Sequence, residues 1–441
     1  MKRTIIFLSV IFLTGFFPSS GFSVTSPEES AEKEEEEAIR EKRHFKSKGL
    51  SERFLEIPKY ILEVPWYPLK HALNFSERHD LVNRAIDVFY FDEERTFGWF
   101  PRFSSSNAEV KGVGGSIFHH NLFDREQQAN LSFTYGEGNQ VVTEAAYTIP
   151  VFGGNPYFFK SSLRFMRDDE GEFFARPDPA DPLGKPILGM DTNKDDFKNY
   201  FIRRFGGRVT AGRQMAPTLN LSTHIRGFTA RTNSTLGPFP PPPPGSEGLD
   251  EEIDMLGGGM GLEWDRRDDS LRPFKGSFIE AEVEGLVSPG SNDAGNRFGY
   301  VQYSLNGQHY IPVYRPHRTL VFLHTLRRVD PMGSRGIPFY ELPVLDYEHL
   351  LRSYDLNRFQ NRGVMTFNLE YRYPIWATWD AFIFGDAGQA FEKYSTLTLP
   401  AFRYSAGGGV RFMSKDSLLF VFQVATGREG IRTIFSLGQV F

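Results

Sequence analysis

Three charged side chains in the last quarter of the sequence, Arg352, Glu370 and Asp386, have the types and spacing to form one ion-pair cluster. Arg352 lies in a long stretch without regular alternation, 329–360, whereas the two carboxylates lie in segments where polar and apolar residues alternate. A planar guanidinium offers parallel donors to carboxylates, and an unpaired charge in a partly dry interior is costly. These residues predict a structural lock, with a contact between Arg352 and Asp386 and with Glu370 close by. The alternative is three independent solvated charges.

The segment around Glu370 predicts a β-strand with one apolar face and one polar face. Residues from Val364 to Tyr373 alternate with a period of two, which is the period of a strand. The apolar set is Met365, Phe367, Leu369, Tyr371 and Tyr373, and the polar set is Thr366, Asn368, Glu370 and Arg372. On the next strand, Phe384 shares a face with Asp386, so we expect both carboxylates to point inward from neighbouring strands.

A further strand, Ser277–Gly285, places Glu280, Glu282 and Glu284 on one face and apolar residues on the other. A filled apolar core would not accept three carboxylates, whereas a water-filled lumen would. We therefore interpret the sheet as a membrane barrel, whose apolar side chains meet lipid and whose polar side chains line the lumen. The predicted fold class is all-β, a 16-stranded antiparallel transmembrane β-barrel with a short N-terminal periplasmic helical segment.

The sixteen predicted strands give an even count, as a single-chain bacterial barrel requires. They lie near 98–105, 109–120, 127–136, 139–149, 156–167, 197–213, 216–230, 255–265, 275–288, 297–312, 317–328, 361–374, 378–391, 402–413, 416–426 and 431–441. The long connections 168–196, 231–254 and 329–360 then all fall on the outer side. Proline-containing turns after 149, 311 and 373 fall on the periplasmic side, where proline ends a strand because it cannot donate to the ladder.

The N-terminus predicts a secretory signal peptide over residues 1–24. Lys2 and Arg3 supply the positive charge, and Ile5–Phe17 is an apolar core shorter than the ~20 residues of a membrane helix. An uncleaved anchor is the alternative. No later stretch approaches a transmembrane helix, the mean hydropathy is -0.37, and the chain has no cysteine.

Three regions are expected to follow the signal peptide. Residues 25–53 are a charge-rich run, which predicts a disordered linker. Residues 54–96 carry apolar residues at helical spacing and predict a periplasmic amphipathic segment lying against the barrel rim or the membrane surface. A plain linker is the alternative for that segment. The barrel itself is expected over 97–441, and the 43 Phe and 18 Tyr of the chain suit its aromatic girdles.

The two ends of the barrel predict a seam where the first strand pairs with the last. The chain closes on Phe435 to Phe441, an alternating stretch that includes Gly438 and ends on an aromatic residue. The first strand contains Pro101, which removes one ladder donor. This donor is lost where the first strand should pair with 431–441. A bulge or an unpaired start of the strand is an equally good reading of Pro101.

Four segments together resemble the bacterial surface antigen family, the BamA and TamA type of outer-membrane barrel. Leu262–Gly276 resembles the family's Asp-x-Arg turn with its later Pro and Gly, and Leu351–Tyr354 resembles the Val-Arg-Gly-Phe/Tyr motif of a loop that folds into the barrel. Phe384–Gly388 reads Phe-Gly-Asp-Ala-Gly and resembles the Phe-x-Asp-x-Gly strand motif, while Phe435–Phe441 resembles the closing strand. The resemblance covers about 260–441 by motif and 97–255 by pattern alone.

The resemblance implies a role for each matching residue. Arg352 and Tyr354 would belong to the inward loop, and Phe384, Asp386 and Gly388 to the strand motif that receives it, with Glu370 beside them. The seam with Pro101, Phe435, Gly438 and Phe441 would be the lateral gate. The implied location is the bacterial outer membrane. The implied function is outer-membrane biogenesis by insertion or translocation of protein or lipid.

The sequence departs from the family in two respects. Ser353 stands where the family has Gly, which can adopt a positive φ without strain. Between the signal peptide and the first strand, residues 25–96 show no strand alternation, so we expect no POTRA domain. The implied partners are outer-membrane lipids, unfolded outer-membrane proteins or lipid clients, and the barrel assembly machinery during the protein's own insertion.

Other chemistry finds little support in the sequence. His119 and His120 point to opposite faces of a strand, so no metal site and no cofactor are expected. No Gly-x-Ser-x-Gly elbow occurs, which disfavours an enzyme such as a lipase. The net charge of -5 argues against a nucleic-acid partner. A passive pore for small solutes remains the main alternative function.

Overall fold

The computed structural model describes residues 87–441 apart from several short segments. The gaps are 105–111, 152–153, 177–186, 189, 191–196, 235–246, 271, 290–296, 314–317, 346–350, 356, 376–377, 414–417 and 438–441. The predicted signal peptide, the predicted linker, most of the predicted helical segment, and Gly438 and Phe441 therefore lie outside the described residues. All described residues belong to one compact unit, Trp66–Phe441.

Seventeen strands occur among the described residues, and sixteen of them form the barrel. They are β1 Phe97–Ser104, β2 Gly112–Leu122, β3 Gln127–Gly136, β4 Val141–Ile149, β5 Tyr157–Arg176, β6 Ile187–Leu188, β7 Phe197–Ala216, β8 Leu219–Ser234, β9 Glu252–Asp265, β10 Gly276–Val287, β11 Gly299–Pro312, β12 Thr319–Pro331, β13 Gly363–Pro374, β14 Trp379–Phe391, β15 Arg403–Met413, β16 Leu418–Gly427 and β17 Gly430–Leu437. The two-residue β6 pairs with the far end of β5, while β5 pairs with β7 along its length. Each barrel strand is antiparallel to its neighbours, and β1 pairs with β17. The predicted 16-stranded antiparallel barrel is confirmed.

The helical content of the described chain is small. Short 3-10 turns occur at Glu137–Asn139, Phe339–Glu341, Tyr394–Thr396 and Leu399–Ala401. Within the part of the chain that is described, no helix has the length and apolar character needed to cross a membrane.

The alternation in β13 sorts its side chains between the two faces of the wall. Phe367 and Leu369 are exposed, whereas Thr366, Asn368 and Glu370 are buried inside the barrel. The same rule puts Phe384 and Asp386 of β14 inside and leaves Ile383 exposed. Large apolar side chains on the outer face are stable here because their solvent is lipid.

The acidic face of β10 meets bases and amides, as a polar lumen requires. Asn306 donates to Glu280 over 3.1 Å, and Arg226 donates to Glu284 over 2.7 Å. Arg208 forms an ion pair with Glu282. The three glutamates are therefore held by polar partners from other strands.

The connection between β12 and β13 fills part of the lumen. Phe339, Leu345, Leu351 and Phe359 of this connection are all almost completely buried. Leu345, Leu351 and Phe359 pack with Val364 at the start of β13. We call residues 332–362 the inner loop, whose apolar side chains give it a core of its own inside the barrel.

The barrel closes weakly among the described residues. β1 and β17 share two residue pairs, Phe103 with Leu437 and Ser104 with Ser436. In contrast, eight pairs join β1 to β2 and eight join β16 to β17. Among the described residues, the seam between β1 and β17 therefore has fewer paired residues than the β1–β2 or β16–β17 contact.

Candidate functional site

The wall beneath the inner loop is built from rows of residues on four neighbouring strands. One row runs from Asn368 through Asp386 and Ser405 to Gly427, because these residues are directly opposed in register. All four belong to the lumen face. The tip of the inner loop lies over this wall, and its backbone turns where the Tyr354 N–H donates to the Leu351 carbonyl over 3.2 Å.

Arg352 is the centre of the cluster and is almost fully buried. Its Nη2 lies 2.5 Å from Oε1 of Glu370 and 3.4 Å from Oδ1 of Asp386. Its Nη1 donates to Gln423 over 3.4 Å, and its backbone N–H donates to Asp386 over 3.3 Å. The structure thus brings together the three residues singled out by the sequence, with Glu370 as the closer acid.

Each carboxylate is held by further donors. Asp386 accepts hydrogen bonds from Asn368 over 2.9 Å and from Ser405 over 2.6 Å. Glu370 also accepts from Nε of Arg372 over 2.7 Å. Buried carboxylates require such partners because their lone pairs have lost water. These donors are not among the site residues predicted from the sequence, although strand parity places Asn368 and Arg372 beside Glu370.

Phe384 supplies the floor of the cluster. The guanidinium carbon of Arg352 lies 3.8 Å from the centre of the Phe384 ring, a close cation–π contact. A Cβ at Gly407, the residue opposite Phe384, would lie 2.6 Å from the ring. Glycine at 407 therefore lets the ring lie against the wall and support the arginine.

Two wall glycines make room for side chains of the inner loop. A Cβ at Gly388 would lie 2.9 Å from Cδ1 of Leu345, and a Cβ at Gly427 would lie 2.1 Å from Oγ of Ser353. Ser353 is not among the residues with a positive φ. The replacement of the family's glycine by serine is thus accommodated by a glycine on the wall rather than by backbone strain.

The inner loop also contacts the strand that forms the seam. Tyr354 stacks edge-on against Phe359 with ring centres 5.0 Å apart, and its carbonyl accepts a hydrogen bond from Arg432 of β17. Arg432 also forms an ion pair of 2.8 Å with Asp355. Arg358 binds Glu429, in the turn before β17, over 2.8 Å. The lock is therefore joined to β17 by charged contacts.

The seam edge of β1 is partly covered by the residues that precede it. Phe91 donates to the Phe97 carbonyl and Trp99 donates to the Phe89 carbonyl, both over 2.9 Å. Odd-numbered residues of β1 therefore direct their backbone groups toward the seam, and Pro101 supplies no N–H there. Across the seam, the ring of Phe435 lies 5.2 Å from that of Phe103.

Residues 87–96 are the described part of the predicted helical segment, and they form this short extended contact followed by a turn that leads into β1. Asp92 closes the turn by accepting hydrogen bonds from the Thr96 hydroxyl over 2.6 Å and from the Phe97 N–H over 2.9 Å. Slight burial raises the pKa of Asp92, but these hydrogen bonds outweigh it and hold the pKa below its usual value.

The inner loop has a second charged anchor, Glu341, which was not predicted from the sequence. Glu341 binds Arg204 over 2.7 Å and Arg226 over 2.9 Å, and it accepts a hydrogen bond of 2.5 Å from the Tyr300 hydroxyl. Its side chain is 5% exposed. Parity puts both arginines in the lumen, but no motif marks the glutamate that meets them.

One group among the described residues has metal-ligand spacing, although no metal was expected. Ligand atoms of His224, Glu282 and Glu284 lie within 4.8 Å of one another. Arg208 and Arg226 already bind the two carboxylates, and a divalent cation would have to displace these guanidiniums. We interpret the group as part of the lumen's ion-pair network.

Fold and site together define a class of protein: a transmembrane β-barrel of the bacterial outer membrane that holds one of its own loops inside its lumen. Residues 121–441 match the model of the Omp85 superfamily domain. This is more than half of the chain, so the protein belongs to the Omp85 superfamily. The resemblance to BamA- and TamA-type barrels is confirmed. No curated protein sequence matches the chain.

Solved structures show the same fold at low sequence identity. BamA from Haemophilus ducreyi lacking POTRA domains 1-3 is 16% identical with a TM-score of 0.54, over 78% of this chain and 70% of that one. CdiB from Acinetobacter baumannii is 11% identical with a TM-score of 0.47, over 77% and 59%. CdiB from Escherichia coli is 9% identical with a TM-score of 0.49, over 78% and 62%. The chain thus spans less than two thirds of the length of the CdiB chains.

Proposed function

We propose that this barrel acts in outer-membrane biogenesis, by inserting or translocating protein or lipid through the seam between β1 and β17. The observation that carries the proposal is the sparse pairing of that seam, two residue pairs among the described residues. Among the described residues, opening the seam separates two residue pairs, whereas parting β1 from β2 or β16 from β17 would separate eight. Pro101 weakens the same edge because it offers no donor.

The contacts of the inner loop with β17 support a link between the lock and the seam. Arg432 holds Tyr354 and Asp355 of the loop from a position on the seam strand. Movement of β17 must stretch or break these contacts. In this proposal, release of the loop tip and opening of the seam favour one another.

The proposed clients are unfolded outer-membrane proteins or lipids, and no covalent chemistry is required of the barrel. The exposed edge of β17 would offer backbone donors and acceptors to an incoming strand. The same opening places polar backbone in contact with lipid, which disturbs the bilayer locally. The surrounding outer-membrane lipids are partners in either case. The barrel assembly machinery would insert the protein itself.

A disulfide across the seam tests the proposal, because the chain has no native cysteine. Ser104 and Ser436 are directly opposed, and the backbone groups of even-numbered β1 residues point away from the seam, so this is a close, non-hydrogen-bonded pair. We expect the oxidised Ser104→Cys/Ser436→Cys protein to lose client insertion in proteoliposomes at least tenfold. Reduction should restore it.

The matched control places a disulfide between β2 and β3, two strands that are paired along most of their length and are not expected to separate. Ser116 and Ser132 are directly opposed on β2 and β3. The oxidised Ser116→Cys/Ser132→Cys protein should keep its insertion activity. Full activity of the seam-locked protein would rule out lateral opening as the mechanism.

A passive pore is the second candidate, and one observation favours it. A cavity of about 580 Å³ lies inside the barrel, with Lys160, Glu263 and Glu280 among its lining residues. The inner loop obstructs the lumen, so a pore should conduct poorly until the loop moves. A large, steady single-channel conductance that is unchanged in Arg352→Ala would favour the pore over the locked loop.

A further inference from the structure

A second cavity, of about 270 Å³, lies against the lumen side of β5, β7 and β8. Four of its lining residues are arginines: Arg164, Arg204, Arg208 and Arg226. We call this cavity the arginine pocket. It does not contain any residue of the lock around Arg352 or of the seam.

Strand register places the four arginines at neighbouring positions of the wall. Arg208 lies directly opposite Arg226, and Arg164 lies opposite Gly206, midway between Arg204 and Arg208 on β7. Like charges at directly opposed positions are destabilising. The arrangement is therefore stable only with anions beside it.

One aromatic side chain orients two of the arginines. The guanidinium carbons of Arg204 and Arg226 lie 3.9 and 5.1 Å from the centre of the Phe228 ring. Phe228 is 6% exposed, and a Cβ at Gly206 would lie 2.5 Å from its Cβ. The glycine makes room for the ring, and the ring holds the donors in place before any ligand arrives.

The carboxylates that bind Arg204, Arg208 and Arg226 have two origins. Glu282 and Glu284 belong to β10 and stay with the wall, binding Arg208 and Arg226. Glu341 belongs to the inner loop and binds Arg204 and Arg226 with its two oxygens. Of the three carboxylates, it alone can leave without breaking the barrel.

We propose that the arginine pocket is a binding site for a phosphate-class anion, and that Glu341 competes with this anion by binding Arg204 and Arg226 while the inner loop is folded in. Fixed guanidiniums match the tetrahedral oxygens of phosphate as they match a carboxylate. The cavity, at about 270 Å³, is larger than a phosphate group. The anion is either a free phosphate or the headgroup of a phospholipid. The proposal holds whether or not the seam opens.

Calorimetry on the full-length protein in an uncharged detergent at low salt tests the site, with pyrophosphate as the probe. Glu341→Gln removes the internal competitor and should tighten pyrophosphate binding about tenfold or more. Arg204→Gln removes one charge-assisted contact and should weaken binding about tenfold. If the ion pair between Glu341 and Arg204 were only structural, the two substitutions would not change pyrophosphate affinity in opposite directions.

Two control variants match these substitutions. Glu280→Gln neutralises a lumen carboxylate that lines the larger cavity, and Arg213→Gln neutralises an arginine on the outer face of β7. Both should leave pyrophosphate affinity within twofold of the parent. Folding of every variant is checked by the shift in gel mobility that a folded barrel shows on heating.

A second arm uses a short-chain phosphatidic acid below its micelle concentration. Binding of pyrophosphate with the predicted order of affinities assigns the site to free phosphates. Binding of the lipid alone, in the same order, assigns it to a headgroup. Failure of both probes to bind Glu341→Gln, or equal affinities of Glu341→Gln and Arg204→Gln, would overturn the proposal.

Discussion

Replacing Arg352 by methionine should release the inner loop from the wall. The substitution keeps an apolar side chain over Phe384 but leaves Glu370 and Asp386 without their shared cation. Removing one partner of a buried ion pair costs about 3–5 kcal/mol.

The free-energy cost should lie near the lower limit of that range, because both carboxylates keep other donors. Glu370 keeps Arg372 at 2.7 Å, and Asp386 keeps the donors Asn368 and Ser405. We therefore expect the docked loop to lose about 3 kcal/mol relative to the released loop, which raises the released population about a hundredfold.

A single cysteine placed at Leu345 measures this population, because the side chain is fully buried on the wall and the chain has no other cysteine. The rate at which a maleimide labels Leu345→Cys should rise about a hundredfold when Arg352→Met is added. Arg352→Lys keeps the charge but not the planar donors. The labelling rate of Leu345→Cys in this variant should therefore lie between the rates with Arg352 and with Arg352→Met.

The control removes an ion pair of similar length elsewhere. Arg267 binds Asp265 over 2.7 Å at the end of β9, away from the inner loop. Arg267→Met should leave the labelling rate unchanged. Equal labelling of the parent and Arg352→Met would refute the inference that this arginine holds the loop in the barrel.

Two further predictions concern the wall and the turn before β1. Gly388→Val should displace Leu345 and expose the inner loop to protease, because a Cβ at Gly388 already lies 2.9 Å from that side chain. Gly385→Val should have no such effect, since nothing lies within 4 Å of its Cβ position. The lowered pKa of Asp92 means that its contribution to the turn is full above the unfolded value of 3.8 and is lost as the pH falls through the folded value. Protection of the Trp99 amide against hydrogen exchange should therefore fall as the pH is lowered below 3.8. Asp92→Asn should abolish that dependence on pH.

The period-two pattern was sufficient to predict the wall and its inward residues. Because parity is fixed along a strand, it alone assigns Glu370 and Asp386 to the lumen face. The resemblance of Leu351–Tyr354 to the family's inward-loop motif then indicated Arg352, in the long connection between such strands, as the cation that meets them. The same parity rule places Asn368 of β13, Ser405 of β15 and Gln423 of β16 on the lumen face, where they meet the cluster.

The path of the inner loop could not be read in this way. Glu341 reaches Arg204 and Arg226 through a connection without periodicity, so the sequence does not indicate which wall it meets. The contact of Ser353 with Gly427 depends on how the loop is positioned along the wall, which the sequence does not indicate. Residues just before β1 have helical spacing, yet Phe89 and Phe91 bond to the edge of β1, because tertiary hydrogen bonds outweigh local propensity.

The extended contact made by Phe89 and Phe91 has a consequence for a barrel that is not yet closed. An open strand edge is a template on which a second chain can pair, which leads to dimers and aggregates. Here Phe89 and Phe91 cover the edge of β1 at Phe97 and Trp99. Pro101 offers no N–H at the next outward-facing position of the same edge. Two unfinished barrels would find little at this end of β1 to join them, so each is left to close on itself.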